Sequence, residues 1–294
     1  MVTSAIEHEA GLHTARGLAL AGADVIVVPA LPSGVVDLEA MVAAVTQETA
    51  VVSLMLANNE IGTIQPVAEV ARACRAHGAL LHTDAVQAAG KIPVSVEALG
   101  VDLLSLSAHK FGGPKGIGAL WTRRGVKLVA QATGGRQERS RRAGTENVAG
   151  AAGAGVAAEA ARAGLTRQPH IAALRDQLEH ALLAIPGTIV NGGEAPRVPN
   201  TTNVTFDGVE AESLLIALDL EGIAVSTGSA CSSGTLEPSH VLRAMGATAT
   251  RARQALRFSL GPATTAEEIA FVASRVPALV SRLRRLGRTA EALG

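Results

Sequence analysis

Three polar residues near the middle of the chain have the types and spacing of a reactive site. Ser107, His109 and Lys110 follow the apolar stretch 103–106, which predicts a buried strand, and the glycine-rich stretch 112–114 comes next. In α/β proteins, ligands bind at strand ends because helices cover the faces of the sheet. A hydroxyl, an imidazole and an ammonium so close together therefore indicate a phosphate-binding cluster, beside a lysine that can become a nucleophile.

A phosphate-binding cluster beside a reactive lysine fits one small molecule, pyridoxal phosphate, whose aldehyde condenses with a lysine amine. The pyridine nitrogen of this cofactor needs an acid next to it, because a protonated ring draws electrons from the substrate. Asp84 follows another predicted strand and is the best candidate for that acid. His8 and Gln87 are available to cover the ring face and to contact the phenolic oxygen.

Two residues in the second half of the chain also indicate chemistry. Cys231 lies in STGSACSSGTLEP, residues 226–238, which is too polar and flexible for a core and therefore predicts an exposed thiol. Cys74 instead shares one face of a predicted helix with apolar residues, so we expect it in the core. Arg257 lies inside an apolar strand, where a guanidinium needs a carboxylate partner from the protein or from a substrate.

The composition argues against several classes of protein. The chain has 294 residues, and Lys plus Arg equals Asp plus Glu at 26 each, so no overall basic charge favours nucleic acid as a partner. Two cysteines cannot form a disulfide framework, and neither a signal-peptide pattern nor a membrane-spanning apolar run is present. We therefore expect a cytoplasmic protein with a small-molecule substrate and no membrane contact. The histidines and cysteines show no metal-ligand spacing.

Strands and helices are predicted to alternate at short intervals in the first part of the chain, and no strand is expected before residue 11. This pattern predicts an α/β large domain with a mostly parallel, doubly wound sheet over residues 1–164. The pattern changes around residues 164–169, so a smaller α+β domain that carries the thiol is expected over residues 165–294. Polar clusters at Asn59, Asp84 and Ser107 follow successive predicted strands.

Five stretches of the chain together resemble the cysteine desulfurases of the NifS/IscS type, which belong to the class V branch of the fold-type I pyridoxal-phosphate enzymes. The stretches agree in order and spacing, and the resemblance covers essentially the whole chain. They are NNEIGTIQP (58–66), HTDAVQAAGK (82–91), SAHKFGGPKGIGAL (107–120), RAGTEN (142–147) and STGSACSSGTLEPSHVLRAMG (226–246).

The resemblance implies a role for each candidate residue. Lys110 would form the Schiff base with the cofactor, and Asn59 would contact the cofactor and, with Arg257, hold the substrate carboxylate. The other implied cofactor contacts are Asp84 at the pyridine nitrogen, Gln87 at the phenolic oxygen, His8 on the ring, Ser107 and His109 at the phosphate, and Thr145 at the phosphate of the neighbouring subunit in a homodimer.

The resemblance also implies a reaction and its partners. Cys231, as a thiolate, would attack the sulfur of L-cysteine and keep it as a persulfide, while the rest of the substrate leaves as L-alanine. The Ser/Gly-rich thiol stretch is similar to the branch that passes sulfur to a scaffold protein for iron-sulfur cluster assembly. The basic stretch 136–142 could dock such a partner, although a solvated surface explains it equally well.

Other interpretations stay open at this point. A second class V activity, an aminotransferase or a selenocysteine lyase, would fit the same fold, but an aminotransferase has no need of the thiol at Cys231. Family members begin about a strand and a helix earlier, so the resemblance implies that the chain lacks a Gly-Ala-Thr-Glu turn whose helix N-terminus binds the cofactor phosphate. A truncated, inactive subunit that acts as a binding module is therefore a further alternative.

Overall fold

The computed structural model describes residues 1–227 and 237–293, and its larger sheet has six strands. The strand order is β2-β1-β3-β4-β5-β6; the first five strands run parallel, and β6 pairs antiparallel with β5. The α/β class with a mostly parallel sheet is thus confirmed. The strands are β1 (Val2–Ser4), β2 (Ile26–Val28), β3 (Val51–Ser53), β4 (Leu80–Asp84), β5 (Leu103–Ser107) and β6 (Gly118–Thr122).

Local sequence signals explain one end of two of the helices in this part. Asp37 accepts a hydrogen bond from the Ala40 amide at the first turn of α2, and Gly78 ends α3 in the left-handed conformation. Cys74 is buried on the inner face of α3, as expected. The helices are α1 (Glu9–Leu20), α2 (Leu38–Ala43), α3 (Val67–His77), α4 (Val96–Leu99), α5 (Gln137–Ser140) and α6 (Val148–Gly164).

The second part of the chain forms an antiparallel sheet of three strands in the order β7-β8-β9, packed against long helices. Its own apolar core includes Leu178, Phe206, Leu214 and Val276. A 3₁₀ turn joins α6 directly to α7, so a nearly continuous helical segment crosses the predicted domain boundary. The elements are α7 (Gln168–Leu183), β7 (Thr188–Asn191), β8 (Thr201–Phe206), α8 (Ala211–Asp219), α9 (His240–Ala244), α10 (Ala249–Ala252), β9 (Ala255–Ser259) and α11 (Ala266–Leu293).

Two expectations about strands are wrong. Residues 2–4 form β1, which pairs with β2 on one side and β3 on the other, although no strand was expected there. The stretch looks polar, but Thr3 and Ser4 are fully buried because their hydroxyls donate to the Ser53 carbonyl and to Glu7. Residues 223–226, predicted as a strand, form only a single bridge between Ser226 and Arg257.

Among the described residues, no helix is both long and apolar enough to cross a membrane. The same residues contain no group of three or more histidine, cysteine, aspartate or glutamate side chains suited to holding a metal ion.

Candidate active site

The predicted site residues meet at one edge of the larger sheet. Strands β1, β3, β4 and β5 are neighbours and run parallel, so their carboxyl ends lie on the same side. His8 follows β1, Asn59 follows β3, Asp84 ends β4 and Ser107 ends β5. Three of these strand ends were expected from the sequence. The fourth, at β1, was not, because the strand itself was missed.

Lys110 lies at the end of a 3₁₀ turn that directly follows β5. Ser107 and His109 are joined by a 2.9 Å contact between Oγ and Nδ1, and His109 and Lys110 are exposed. A Cβ atom at Gly113 would lie 2.8 Å from the Cβ of Ala108, so only glycine lets the following loop fold back onto this turn. The backbone thus holds the Ser107 hydroxyl against the His109 imidazole and places Lys110 directly after them, at the end of the same strand.

Asp84 and Gln87 come together in the turn that follows β4. Asp84 Oδ1 accepts a 2.9 Å hydrogen bond from the Val86 amide, which fixes the direction of the carboxylate. The Gln87 carbonyl oxygen Oε1 accepts a hydrogen bond from Lys91 Nζ. Burial, followed by repulsion from Lys110 and Arg257, lowers the pKa of Lys91 to about 8. Lys110 and Arg257 are therefore close enough to Lys91 to act on its charge.

His8 caps α1, since its Nδ1 accepts a 3.2 Å hydrogen bond from the Ala10 amide. Glu7, the residue before it, is only 2% exposed and accepts hydrogen bonds from Ser4 Oγ (2.6 Å) and the Met55 amide (2.9 Å). The pKa of Glu7 is raised to about 8, mainly by burial and to a smaller extent by the nearby charge of Asp84. The two hydrogen bonds lower the pKa and so oppose part of this rise. The sequence gives one signal for Glu7, its position directly before His8, and nothing in it predicts the burial of this carboxyl group.

A second buried carboxyl group, Glu60, lies beside the residues expected to hold a substrate. Arg257 Nη1 donates a 2.6 Å hydrogen bond to the Asn59 carbonyl, so the two predicted substrate-binding residues are in contact. Glu60 accepts a hydrogen bond from Ser239 Oγ, and its Oε1 lies 4.0 Å from His240 Nδ1. Burial raises the pKa of Glu60, and this hydroxyl, His240 and Arg257 oppose the rise.

Glu60, Lys91, Ser239 and His240 were all missed as site residues. Ser239 and His240 approach the site from α9 and its cap, and nothing in the spacing of the sequence predicts that they meet Glu60. Lys91 ends the motif HTDAVQAAGK, four residues after Gln87, and this spacing does not by itself predict a role in the site.

The structure does not join one predicted site residue, Thr145, to this group, and it does not describe another, Cys231. Thr145 is exposed between α5 and α6, and no hydrogen bond among the described residues joins it to the strand ends. Cys231 lies outside the described residues, so its expected role as the sulfur acceptor stays a prediction.

The residues present suit pyridoxal phosphate. Asn59 Oδ1 is buried and has no hydrogen-bond partner among the residues that the structure describes, which leaves an acceptor for a ligand. Lys91, Lys110 and Arg257 supply positive charge for an anion, and Asp84 supplies a carboxylate that can pair with a protonated ring nitrogen. This set of donors and acceptors matches the phosphate, the phenolic oxygen and the pyridine nitrogen of the cofactor.

A mostly parallel sheet with an exposed lysine at the end of one strand and a carboxylate at the end of the next is typical of the pyridoxal-phosphate enzymes of fold type I. A solved structure of a NifS-like protein has the same fold: it superimposes with a TM-score of 0.87 at 40% identity, over 96% of this chain and 75% of that one. The model of the aminotransferase class-V family matches residues 1–272, and the chain belongs to this family of pyridoxal-phosphate-dependent enzymes.

Curated relatives give a finer description. The cysteine desulfurase of Klebsiella pneumoniae is 46% identical over 287 residues, which are 97% of this chain and 72% of that protein. The cysteine desulfurase IscS of Methanosarcina thermophila is 47% identical over 287 residues, 97% of this chain and 71% of that protein. The resemblance found in the five sequence motifs is thereby confirmed.

Proposed function

We propose that this protein is a pyridoxal-phosphate-dependent cysteine desulfurase, which converts L-cysteine to L-alanine and keeps the sulfur as a persulfide on Cys231. The proposal rests on one observation: four predicted site residues lie at the ends of neighbouring parallel strands. They are His8, Asn59, Asp84 and Lys110. The 46% identity to a cysteine desulfurase supports this activity within the class V family.

The cofactor would be held mainly by the residues at the ends of β4 and β5. When bound, it withdraws electrons from the substrate and so acidifies the Cα proton. Asp84 would pair with the ring nitrogen, since the Val86 amide already orients its carboxylate, and Gln87 would donate to the phenolic oxygen. Ser107 and His109 would bind the phosphate, His8 would cover the ring, and Thr145 would reach the phosphate of a partner subunit.

Arg257 and Asn59 would position the substrate. A guanidinium binds a carboxylate through paired hydrogen bonds, and Arg257 already contacts the Asn59 backbone, so the two side chains can act on one ligand. Lys110 Nζ, which is exposed at the same edge, would accept the Cα proton of cysteine and later return a proton to the product. The Cys231 thiolate would bond to the substrate sulfur as the carbon–sulfur bond breaks.

We also propose a homodimer in the cytoplasm, with a large domain over residues 1–164 and a small domain over 165–294. Val148 and Val156 on α6 are 72% and 70% exposed, and Val129 in the loop between β6 and α5 is 85% exposed. Apolar side chains this exposed favour a protein–protein contact. Delivery of the persulfide sulfur to an iron-sulfur scaffold or another acceptor protein is the expected use of the product.

The first test is the visible spectrum of the chain, purified with added pyridoxal phosphate, before and after L-cysteine is added. We expect a yellow band that changes with cysteine, together with alanine formation and a mass increase of one sulfur atom on Cys231. The Cys231→Ser variant should keep the band and lose both products. An aminotransferase would instead form pyruvate-type products and survive this substitution, and such a result would contradict the proposal.

A further inference from the structure

Lys91 is partly buried and reaches back one helical turn to Gln87, where its Nζ donates to Oε1. The backbone around Lys91 is firmly held. The Gly90 carbonyl accepts a 2.9 Å hydrogen bond from Gln168 Nε2 at the start of α7. A Cβ atom at Gly90 would lie 3.0 Å from the Cβ of Ala161 on α6, so this turn packs tightly against the helical segment between the two sheets. The backbone next to Lys91 is therefore held by α6 and α7, and the Lys91 ammonium is held by Gln87.

The contact also decides which way the Gln87 amide faces. An amide group offers an oxygen acceptor on one side and an NH₂ donor on the other, and the two are nearly equal in shape. An ammonium has hydrogens only and can be satisfied by the oxygen alone. With Oε1 turned to Lys91, the NH₂ group of Gln87 is the part left for a ligand.

This orientation matters for the expected ligand, because a phenolic oxygen that has lost its proton can only accept hydrogen bonds. The charge of Lys91 also polarises the amide, which makes the Gln87 NH₂ group a better donor. Burial, followed by repulsion from Lys110 and Arg257, lowers the pKa of Lys91, so its ammonium lies within electrostatic range of these two cations.

We propose that Lys91 is a positioning residue that acts through Gln87: it turns the amide so that its NH₂ group donates to the phenolic oxygen of bound pyridoxal phosphate and favours the deprotonated cofactor. The inference rests on the proposed function for the identity of the cofactor, but not on the reaction that follows.

A pH titration of the visible band of the bound cofactor, without cysteine, tests this role. In the Lys91→Met variant, we expect the midpoint of the titration to rise by about 1 pH unit, because loss of a nearby cation favours the protonated chromophore. Lys127→Met, which removes an exposed lysine beyond β6, is the matched control and should leave the midpoint unchanged. Circular dichroism establishes that each variant is folded, and Lys91→Gln replaces the methionine variant if that one does not fold.

The double variant separates action through Gln87 from a direct effect of the charge. If Lys91 acts through the amide, Lys91→Met should shift the midpoint by less than half as much in a Gln87→Leu background. An equal shift in both backgrounds, or no shift in either, overturns the proposal. If the parent chain shows the visible band but the band does not change with L-cysteine, only the desulfurase function is contradicted. If the parent chain never takes up pyridoxal phosphate, both the desulfurase function and the role of Lys91 are contradicted.

Discussion

The two halves of the candidate site are held together by contacts of very different range. Around Lys110, the contacts are local: Ser107 meets His109 two residues away, and Lys91 meets Gln87 four residues away. Around the buried carboxyl groups, Ser239 reaches Glu60 across 179 residues, and His240 reaches the Glu7 carbonyl across 233. The exposed half presents reactive groups to a ligand, and the buried half ties α9 to the segments that follow β1 and β3.

This comparison predicts that substitutions in the exposed half change chemistry, whereas substitutions in the buried half change stability. The largest expected effect is that of Lys110→Ala, which removes the amine that binds the cofactor and should lower alanine formation more than about 1000-fold. Because Lys110 is exposed, the free energy of unfolding without cofactor should change by less than about 0.5 kcal/mol.

Alanine formation and urea denaturation, measured on the same preparations, check this prediction. Lys115→Ala, which removes an exposed lysine in the following loop, serves as the control and should change neither quantity. The assignment of Lys110 would be wrong if its variant kept a tenth of the parent activity.

A large effect in the buried half is a pH dependence of stability caused by Glu7. Its pKa is about 8 in the folded chain and near the ordinary 4.5 when unfolded, so folding favours the protonated form. This contribution is complete below pH 4.5 and is lost as the pH rises through 8, with a slope of at most about 1.4 kcal/mol per pH unit. In Glu7→Gln, which cannot ionise, the decline in the free energy of unfolding between pH 5.5 and 7.5 should be shallower.

Urea denaturation of parent and variant at several pH values within that range, in the absence of cofactor, measures the difference. Glu48→Gln, a change at an exposed glutamate, should leave the parent slope unaltered. If the free energy of unfolding fell with pH equally steeply in the parent and in Glu7→Gln, the Glu7 carboxyl would have the same pKa in the folded and unfolded chains, and the prediction would be wrong.

The smallest expected effect is a difference in stability between two serine-to-alanine variants. Ser239→Ala removes the hydroxyl that donates to buried Glu60 and should lower the free energy of unfolding by about 1–3 kcal/mol. Ser107→Ala, at the exposed strand end, should cost less than about 0.5 kcal/mol and instead weaken cofactor binding. Thermal unfolding without cofactor and titration with pyridoxal phosphate separate the two outcomes, and equal losses of stability would contradict the division into halves.

The difference in sequence separation between the contacts of the two halves also explains which features can be predicted from the sequence. The order of strands and helices in the larger sheet, and the residues Asp84, Gln87 and Lys110, follow from local patterns and motifs. Glu7 and Glu60 look like ordinary surface acids in the sequence, because their burial depends on partners that arrive from distant segments. Strand β1 was missed for a related reason: its three residues are ordered by pairing on both sides rather than by their own propensity.

The hydrogen bond between Glu60 and Ser239 also constrains the order of events during synthesis. A ribosome makes this acid long before it makes its partner, and contacts of such high sequence separation form late in folding. We expect the strands of the larger sheet to associate, and Glu7 to find Ser4 and Met55, while the Glu60 carboxyl group is still hydrated. The candidate site would then take its final form only after Ser239 and Arg257 have emerged, so the growing chain would acquire its substrate-binding geometry as one of its last steps.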